Sequence, residues 1–173
     1  MSYPSIVENC SYGKCLIAST DLNIGTEVQC LDGIVVKREE IPEDEISYAI
    51  WIDNAKWLIL KTDARYINHS CYPNCVIDDD LIIRTIKPVK KGEELTIIYN
   101  LIYEDENVGL WDDRWTFSCQ CGSKNCQGLI NKYITIKEIP WIMESQLELK
   151  SKHFGINRDK IFPVIQIEAT NFR

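Results

Sequence analysis

The sequence predicts a mainly β domain with short helices and a C-terminal helix. Short apolar runs rich in β-branched residues alternate with glycine- and proline-containing turns over most of the chain. The run from Trp51 to Leu60 has the pattern of a β-hairpin, with Asp53-Asn54 as its turn. After Ile130 the composition changes, and Pro140 opens a helical apolar pattern of Trp141, Met143, Leu147 and Phe154 that Gly155 would end.

The other elements follow in chain order. Tyr12 to Val36 forms a first β unit of linked antiparallel strands, and a short helix is expected over Ile41–Tyr48, since Pro42 stands in a first turn rich in acidic residues. Residues 81–86 and 95–99 are predicted strands joined by a turn-rich segment. Residues 100–115 are an acidic, irregular linker. The strands expected in the first unit are 16–18, 26–30 and 34–36, separated by Gly13, Gly25 and Gly33.

The length and hydropathy of the chain predict one folded domain. Its 173 residues are 45% hydrophobic and 10% aromatic, which is enough for a core and argues against disorder. No apolar run approaches the roughly 18 residues of a membrane span, and Met1–Asn9 lacks the features of a signal peptide. We therefore expect a soluble cytoplasmic protein without a membrane partner, with the nucleus as an alternative location. The sequence leaves the oligomeric state open.

The net charge restricts the class of partner. A charge of −7 disfavours direct binding to the phosphates of a nucleic acid and favours a basic protein or peptide. The acidic clusters could steer such a partner or could simply keep the protein soluble, and charge alone does not separate these two interpretations.

Cysteine spacing predicts a metal site. Eight cysteines without a secretory signal indicate reduced thiols, and Cys119, Cys121 and Cys126 form a C-x-C-x4-C pattern. Zinc requires four tetrahedral ligands, so these cysteines supply three and the fourth comes from elsewhere. The candidates for the fourth ligand are Cys71, Cys75, Cys10 and His153.

Three motifs follow one another along the chain: R-Y-I-N-H-S-C-Y-P-N-C at residues 65–75, G-E-E-L-T-I-I-Y-N at 92–100 and the C-x-C-x4-C pattern. Together, and in this order, they resemble the motifs of the SET-domain protein lysine methyltransferases that carry a post-SET zinc motif. The resemblance covers about residues 10–130. It implies a SET-domain β-clip with a pseudoknot over residues 1–116 (core about 10–103), a post-SET zinc segment over 117–130 and a C-terminal helical extension over 131–173 packed on the domain.

The resemblance implies S-adenosyl-L-methionine as methyl donor and the side-chain amine of a protein lysine as acceptor. Tyr99 falls at the position of the catalytic tyrosine, and Cys71 at that of the fourth ligand to one zinc ion. Asn68 and His69 are the pair that contacts the donor, and His69 also holds the crossing of the chain. Further donor contacts fall at Gly13, Lys14, Cys15, Leu16, Tyr48, Phe117 and Leu129, with Trp115 a weaker candidate.

The lysine channel departs from the family pattern. Ile97 and Ile98 stand where an aromatic residue and Asp are usual, and Leu31 stands where many members have tyrosine. The channel residues assigned by position are Leu31, Trp57, Ile97 and Tyr103. Without an aromatic residue at position 97, we expect a dimethyl- or trimethyl-lysine product. The target lysine and its protein are not predicted.

Three other functions compete with the methyltransferase. The same departures would suit a catalytically weak module that binds a basic or methyl-lysine peptide. A structural zinc protein needs only the cysteines and leaves the other two motifs unexplained. A protease-like dyad of Cys71 and His69 is disfavoured, because residues two apart on an extended chain point the same way without facing each other and no orienting acid is evident.

Overall fold

The computed structural model of the chain describes residues 2–53, 56–78, 80–102, 111 and 116–142. These residues form short β-strands joined by turns and 3-10 helices, which agrees with the predicted mainly β class. The strands are β1 (Ser5–Cys10), β2 (Gly13–Ala18), β3 (Glu27–Cys30), β4 (Gly33–Lys37), β5 (Ala49–Asp53), β6 (Lys56–Leu60), β7 (Asn68–His69), β8 (Cys75–Ile77), β9 (Ile82–Thr85), β10 (Thr96–Ile97), β11 (Leu101–Ile102), β12 (Phe117–Ser118), β13 (Leu129–Ile130) and β14 (Ile134–Thr135).

The helical segments are short 3-10 turns. One of them, Glu43–Tyr48, lies within the helix predicted over residues 41–48, and Pro42 stands at its N-terminal boundary. The others are Arg38–Glu40, Asp63–Tyr66 and Ile136–Glu138. Arg38–Glu40 and Glu43–Tyr48 contain no buried residue, and Asp63–Tyr66 contains one, Ala64.

The strands pair mostly as small antiparallel sheets. β3, β9 and β8 form one sheet and β4, β6 and β5 another, while β1 and β2 form a hairpin. The three strands predicted in the first β unit are each paired antiparallel, as expected, but they lie in three different sheets. Local patterns identify strands, whereas the choice of partner depends on which faces the whole chain can bury.

The predicted hairpin over residues 51–60 is confirmed as the β5–β6 pair. Trp51 lies opposite Trp57, and Asp53 opposite Lys56. Asn54 of the predicted turn lies outside the described residues. On the other side of β6, Gly33 of β4 lies so close to β6 that a Cβ at this position would be 1.9 Å from the carbonyl oxygen of Ile59.

Two segments that are distant in the sequence meet at a parallel crossing. β7 pairs with β10, so that Asn68 lies opposite Thr96 and His69 opposite Ile97. Asn74 strengthens the crossing, because its Oδ1 accepts the Thr96 N–H at 2.8 Å and its Nδ2 donates to the Glu94 carbonyl at 2.7 Å. The asparagine and the strand therefore hold residues 68–74 against residues 94–97.

One apolar core extends from the hairpin to this crossing. Its fully buried members come from different sheets, and burying each such side chain stabilises the fold by roughly 1.5–3 kcal/mol relative to exposure. Tyr99 and Phe117 belong to the same core and connect it to the cysteine-rich segment. The fully buried aliphatic members are Leu16, Val28, Ile50, Leu60, Ile83, Val89, Leu95 and Ile130.

A second apolar cluster receives the start of the C-terminal segment. Residues 140–142 are helical, as predicted from Pro140, and Ile142 is fully buried beside Val76, Ile86 and Ile98. The rest of the predicted helix, from Met143 to Gly155, lies outside the described residues, so its packing on the domain remains a prediction. Among the described residues, no helix is long and apolar enough to cross a membrane.

Candidate functional site

His69 lies at the centre of the strand crossing. Its Nδ1 accepts the backbone N–H of Tyr99 at 3.1 Å, which leaves the ring proton on Nε2. Nε2 lies 3.4 Å from the Sγ atom of Cys71. Burial lowers the pKa of His69 to about 4, so the ring is neutral at pH 7. The neutral imidazole thus links the backbone of Tyr99, two residues after β10, to the thiol of Cys71.

Tyr99 packs in an aromatic group with His69 and Phe117. The centroid of the His69 ring lies 5.4 Å from the centroid of each of the other two rings, and the Tyr99 and Phe117 centroids are 6.1 Å apart. The Tyr99 hydroxyl donates to the carbonyl oxygen of Ile67 at 2.6 Å. Burial raises the pKa of Tyr99, so the phenol keeps its proton, and the hydrogen bond to Ile67 fixes the orientation of its hydroxyl.

The turn at Gly13 faces open space. Gly13 has φ +124°, a conformation that favours glycine, and a Cβ there would meet no atom within 4 Å. Cys15 and Leu16, which follow in β2, are buried in the core. The Lys14 carbonyl oxygen accepts a hydrogen bond from Asn68 Nδ2 at 3.1 Å, so the turn is tied directly to the crossing.

Cationic and aromatic side chains adjoin this turn. The Lys14 ammonium lies 4.8 Å from the centroid of the Tyr66 ring, and the Arg65 guanidinium lies 3.8 Å from that of Tyr48. Glu45 holds Arg65 through a 3.1 Å ion pair. Arg65 and Tyr66 were not predicted as site residues, although the motif at residues 65–75 begins with them. Their position between Lys14 and Tyr48 could not be read from the sequence.

Phe117 and Leu129 occupy different environments. Phe117 is buried opposite Ile130 in the β12–β13 pair, whereas Leu129 lies opposite Ser118 and is 47% exposed. Phe117 therefore packs against His69 and Tyr99, whereas Leu129, on the neighbouring strand, exposes an apolar side chain to solvent. Trp115, the weaker candidate, lies outside the described residues.

Four cysteine side chains lie close together near the strand crossing of β7 and β10. The Sγ atoms of Cys71, Cys119, Cys121 and Cys126 all lie within 4.8 Å of one another, and those of Cys71 and Cys119 are 3.7 Å apart. Zinc–sulfur bonds of about 2.3 Å in a tetrahedron give sulfur–sulfur distances of about 3.8 Å. The donor set and spacing therefore fit zinc.

Backbone amides support the same thiols. Cys71 N–H donates to Cys121 Sγ at 3.5 Å, and Gln127 N–H donates to Cys71 Sγ at 3.4 Å. Partial burial raises the pKa of Cys121, but hydrogen bonds from Ser123 and from the Cys71 amide outweigh it and lower that pKa to about 6. Such amide contacts are typical of outer-shell support for metal ligands.

The other candidates for the fourth ligand lie elsewhere. Cys75 is fully buried in β8, and Cys10 belongs to a separate group with Cys15 and Glu94. His153 lies outside the described residues. Cys71 is thus the candidate that the fold brings to the three closely spaced cysteines.

The candidate channel residues are only partly brought together. Leu31 and Ile97 share the core cluster of Tyr99, whereas Trp57 belongs to a separate cluster with Ala49 and Ile59. Tyr103 lies outside the described residues. Trp111, which was not predicted, packs against both clusters and donates its Nε1–H to Thr116 Oγ1 at 3.0 Å. It falls within the predicted irregular linker, where the sequence pattern gave no sign of a fixed aromatic side chain.

The contact between His69 and Cys71 corrects one sequence expectation. Their side chains meet at 3.4 Å, although they were expected not to face each other. The geometry still opposes a protease-like dyad, because Nδ1 accepts a backbone N–H and cannot donate to an orienting acid. Burial also raises the pKa of Cys71 to about 11, which disfavours a reactive free thiolate.

Comparisons with known proteins agree with this architecture. The SET domain family model matches residues 13–100. Human "Histone-lysine N-methyltransferase 2D" is 34% identical over 137 residues, and "Histone-lysine N-methyltransferase, H3 lysine-4 specific" of Emericella nidulans is 39% identical over 75 residues. These matches cover 69% and 39% of this chain but only 2% and 6% of the relatives, so the chain spans a small part of their length.

A solved structure shares the fold. The structure titled "crystal structure of KRYPTONITE in complex with mCHG DNA and SAH" superposes with a TM-score of 0.55 at 23% identity, covering 73% of this chain and 29% of that one.

The parallel pairing of β7 with β10, with Tyr99 packed beside it, belongs to a mainly β protein with short 3-10 helices. The match over residues 13–100 covers half of the chain, and the chain belongs to the SET domain family.

Proposed function

We propose that this protein is an S-adenosylmethionine-dependent protein-lysine N-methyltransferase. The observation that carries the proposal is the buried Tyr99, held by the Ile67 carbonyl beside His69 and Phe117 at the strand crossing. The names of the relatives, which are histone-lysine methyltransferases, and family membership support the same activity.

The residues around the Gly13 turn fit the methyl donor. The open space at Gly13 admits a ligand close to the backbone, and Lys14 and Arg65 offer cations for a carboxylate. Phe117 and the exposed Leu129 would cover an adenine ring. We assign donor binding to Gly13, Lys14, Cys15, Leu16, Tyr48, Asn68, His69, Tyr99, Phe117 and Leu129.

The bound donor would supply a methyl group on a positively charged sulfur. The protein must then present an unprotonated lysine amine in line with that group. A free lysine has a pKa of about 10.4, and burial beside a positive charge lowers it. The channel side chains Leu31 and Ile97 are apolar and buried, which suits this desolvation. Tyr99 would orient the amine and the methyl group through its hydroxyl, so that much of the rate comes from alignment.

The four-cysteine cluster would hold one zinc ion. Its ligands would be Cys71, Cys119, Cys121 and Cys126, and the bound zinc would fasten the cysteine-rich segment to the strand crossing. Cys71 lies two residues beyond His69, so metal binding and the donor site are coupled through the backbone. Zinc is assigned a structural role here, because four thiolates leave no open coordination position.

The acceptor is proposed to be a basic protein. The chain carries a net charge of −7, which attracts lysine- and arginine-rich partners at long range. Several relatives are named as histone-lysine enzymes, so histones are the first substrates to test. The charge disfavours direct binding to nucleic acid.

The experiment is transfer of a labelled methyl group from S-adenosylmethionine to a panel of basic and acidic proteins. We expect label in basic proteins with the wild-type chain and almost none with Tyr99→Phe. Tyr72→Phe is the matched control, because Tyr72 is 49% exposed and its ring would be retained. Absence of label in every acceptor, with the donor bound, would contradict the activity.

A catalytically weak binding module is the second candidate. The replacement of the usual channel residues by Leu31, Ile97 and Ile98 favours it. This function predicts tight binding of a basic or methyl-lysine peptide without transfer, so peptide binding measured beside the labelling assay separates the two candidates.

A further inference from the structure

A second group of metal-ligating side chains lies beside the Gly13 turn. The Sγ atoms of Cys10 and Cys15 and a carboxylate oxygen of Glu94 all lie within 4.8 Å of one another. Cys10 ends β1, Cys15 lies in β2 and Glu94 comes from the segment before β10. The hairpin and a bridge between Ile17 and Glu94 bring these three donors to one point.

The carboxylate of Glu94 is fixed in orientation. Its Oε2 accepts a hydrogen bond from the Tyr12 hydroxyl, and its Oε1 accepts one from Asn68 Nδ2 at 2.8 Å. A carboxylate has about four lone-pair positions, so two remain for a metal ion. Hydrogen bonds that orient a ligating group in this way are typical of metal sites.

The two thiols contact backbone carbonyl oxygens and each other. Cys10 Sγ lies 3.5 Å from the Gly13 carbonyl oxygen, and Cys15 Sγ lies 3.6 Å from that of Glu8. Cys15 is 2% exposed, while Tyr12 at the edge of the group is 45% exposed. The group is therefore sheltered on one side and open to solvent on the other.

We propose that Cys10, Cys15 and Glu94 form a second metal site, distinct from the four-cysteine cluster, for a thiophilic divalent cation such as zinc. Two thiolates and one carboxylate match the ligands that zinc takes, and the fourth position is left for water on the side of Tyr12. Binding would release the thiol protons. The metal would clamp the β1–β2 hairpin onto the segment that leads into β10.

The donor chemistry predicts that the two sites differ in affinity. The four-cysteine cluster encloses its metal with protein ligands, whereas the second site keeps one exchangeable position. A chelator should therefore remove metal from the second site first.

The test is the zinc content of the full chain after equilibration with zinc and removal of the excess. We expect two zinc ions per chain, one for each group, and one in Cys10→Ser and in Cys15→Ser. Cys30→Ser is the matched control, since Cys30 is a half-buried thiol in neither group, and it should retain both ions.

A further variant guards against loss of folding. Glu94→Gln keeps the size of the side chain and one acceptor oxygen but replaces the other oxygen with an NH2 donor and removes the charge, so it should weaken the second site by about tenfold or more and leave the four-cysteine site unchanged. One zinc per wild-type chain at saturation, equal content in Cys10→Ser, or a Cys10–Cys15 disulfide in protein purified with reductant would overturn the proposal. This readout does not depend on methyl transfer, so it can fail or succeed independently of the proposed function.

Discussion

Tyr99 shows how one residue can be both a core side chain and a candidate catalytic group. Its ring is buried with His69 and Phe117, while its hydroxyl is fixed by the Ile67 carbonyl. The aromatic ring alone fills the space in the core, so the hydroxyl is not needed for packing. This separation of ring and hydroxyl allows the role of the residue to be measured.

Tyr99→Phe should leave donor affinity within a few-fold and lower turnover by roughly a hundredfold, because one preorganised hydrogen-bonding group is removed. Loss of the bond to Ile67 should also cost about 1 kcal/mol of stability. Calorimetric titration with S-adenosylmethionine and initial rates give the two quantities. Turnover equal to that of Tyr72→Phe would make Tyr99 a core residue only.

Ile97 is expected to leave room for more than one methyl group. It is 2% exposed in the cluster of Tyr99 and offers no hydrogen bond to hold the amine in place. We expect the wild type to form dimethyl- or trimethyl-lysine and Ile97→Tyr to stop earlier, as read by mass spectrometry of a peptide after long incubation. Ile97→Val is the control of similar shape. A wild-type reaction that stops at monomethyl-lysine would show that another residue sets the limit.

At the level of residues, the sequence predicted which residues belong to the candidate site better than it predicted which side chains pack together. The motif at residues 65–75 pointed to Asn68, His69 and Cys71, and these residues lie at the crossing. It could not reveal Trp111, whose position between two clusters depends on long-range packing. Nor could it separate Trp57 from Leu31 and Ile97, since cluster membership is a property of the fold.

At the level of elements, glycines decide how closely strands approach. Gly33 brings β4 against β6, where any Cβ would collide with the Ile59 carbonyl, whereas Gly13 needs only its unusual φ. The sequence predicted β2 to β6, β9 and β10 but missed other strands, among them β1, because Ser5–Cys10 mixes polar and apolar residues without strict alternation. It also could not predict that β2, β3 and β4 would join different sheets.

These two glycines should respond differently to alanine. Gly33→Ala should lower the free energy of unfolding by about 3 kcal/mol through steric overlap with a strand backbone. Gly13→Ala should cost about 1 kcal/mol, because its Cβ meets open space and only the φ angle is strained. Denaturant unfolding measures both, and equal losses would contradict the geometry at β4 and β6.

The cysteine-rich segment should depend on Cys71. Cys71→Ser removes one of four thiolates, so zinc affinity of this cluster should fall more than about tenfold and resistance to chelators should decrease. Cys30→Ser serves as the control outside the cluster. Zinc retention equal to that of the control would remove Cys71 from the ligand set and reopen the choice of fourth ligand.

At the level of the whole molecule, the strand crossing connects three functions that are separate in sequence. It joins the Gly13 turn through Asn68, the candidate catalytic residue Tyr99 through His69 and the four-cysteine cluster through Cys71. The resemblance of three motifs predicted this gathering, and the family match supports it. The C-terminal segment beyond residue 142 lies outside the described residues, and its predicted helix carries no assigned role.

The acidic surface should act on the whole molecule at long range. With a net charge of −7, the KM for a basic peptide should rise several-fold as ionic strength increases from about 0.01 M to about 0.15 M, since the screening length falls from about 30 Å to about 8 Å. Steady-state kinetics at several salt concentrations measure this, with donor affinity as the internal control. A KM independent of salt would show that the acidic clusters serve solubility alone.

The measurement that tests the central claim most directly is residue-resolved mass spectrometry of histones after incubation with the wild-type chain and labelled S-adenosylmethionine. The account predicts labelled methyl groups on lysine side-chain amines and their near absence with Tyr99→Phe. Label on another residue type, or equal lysine labelling by the variant, would contradict a lysine methyltransferase that works through Tyr99.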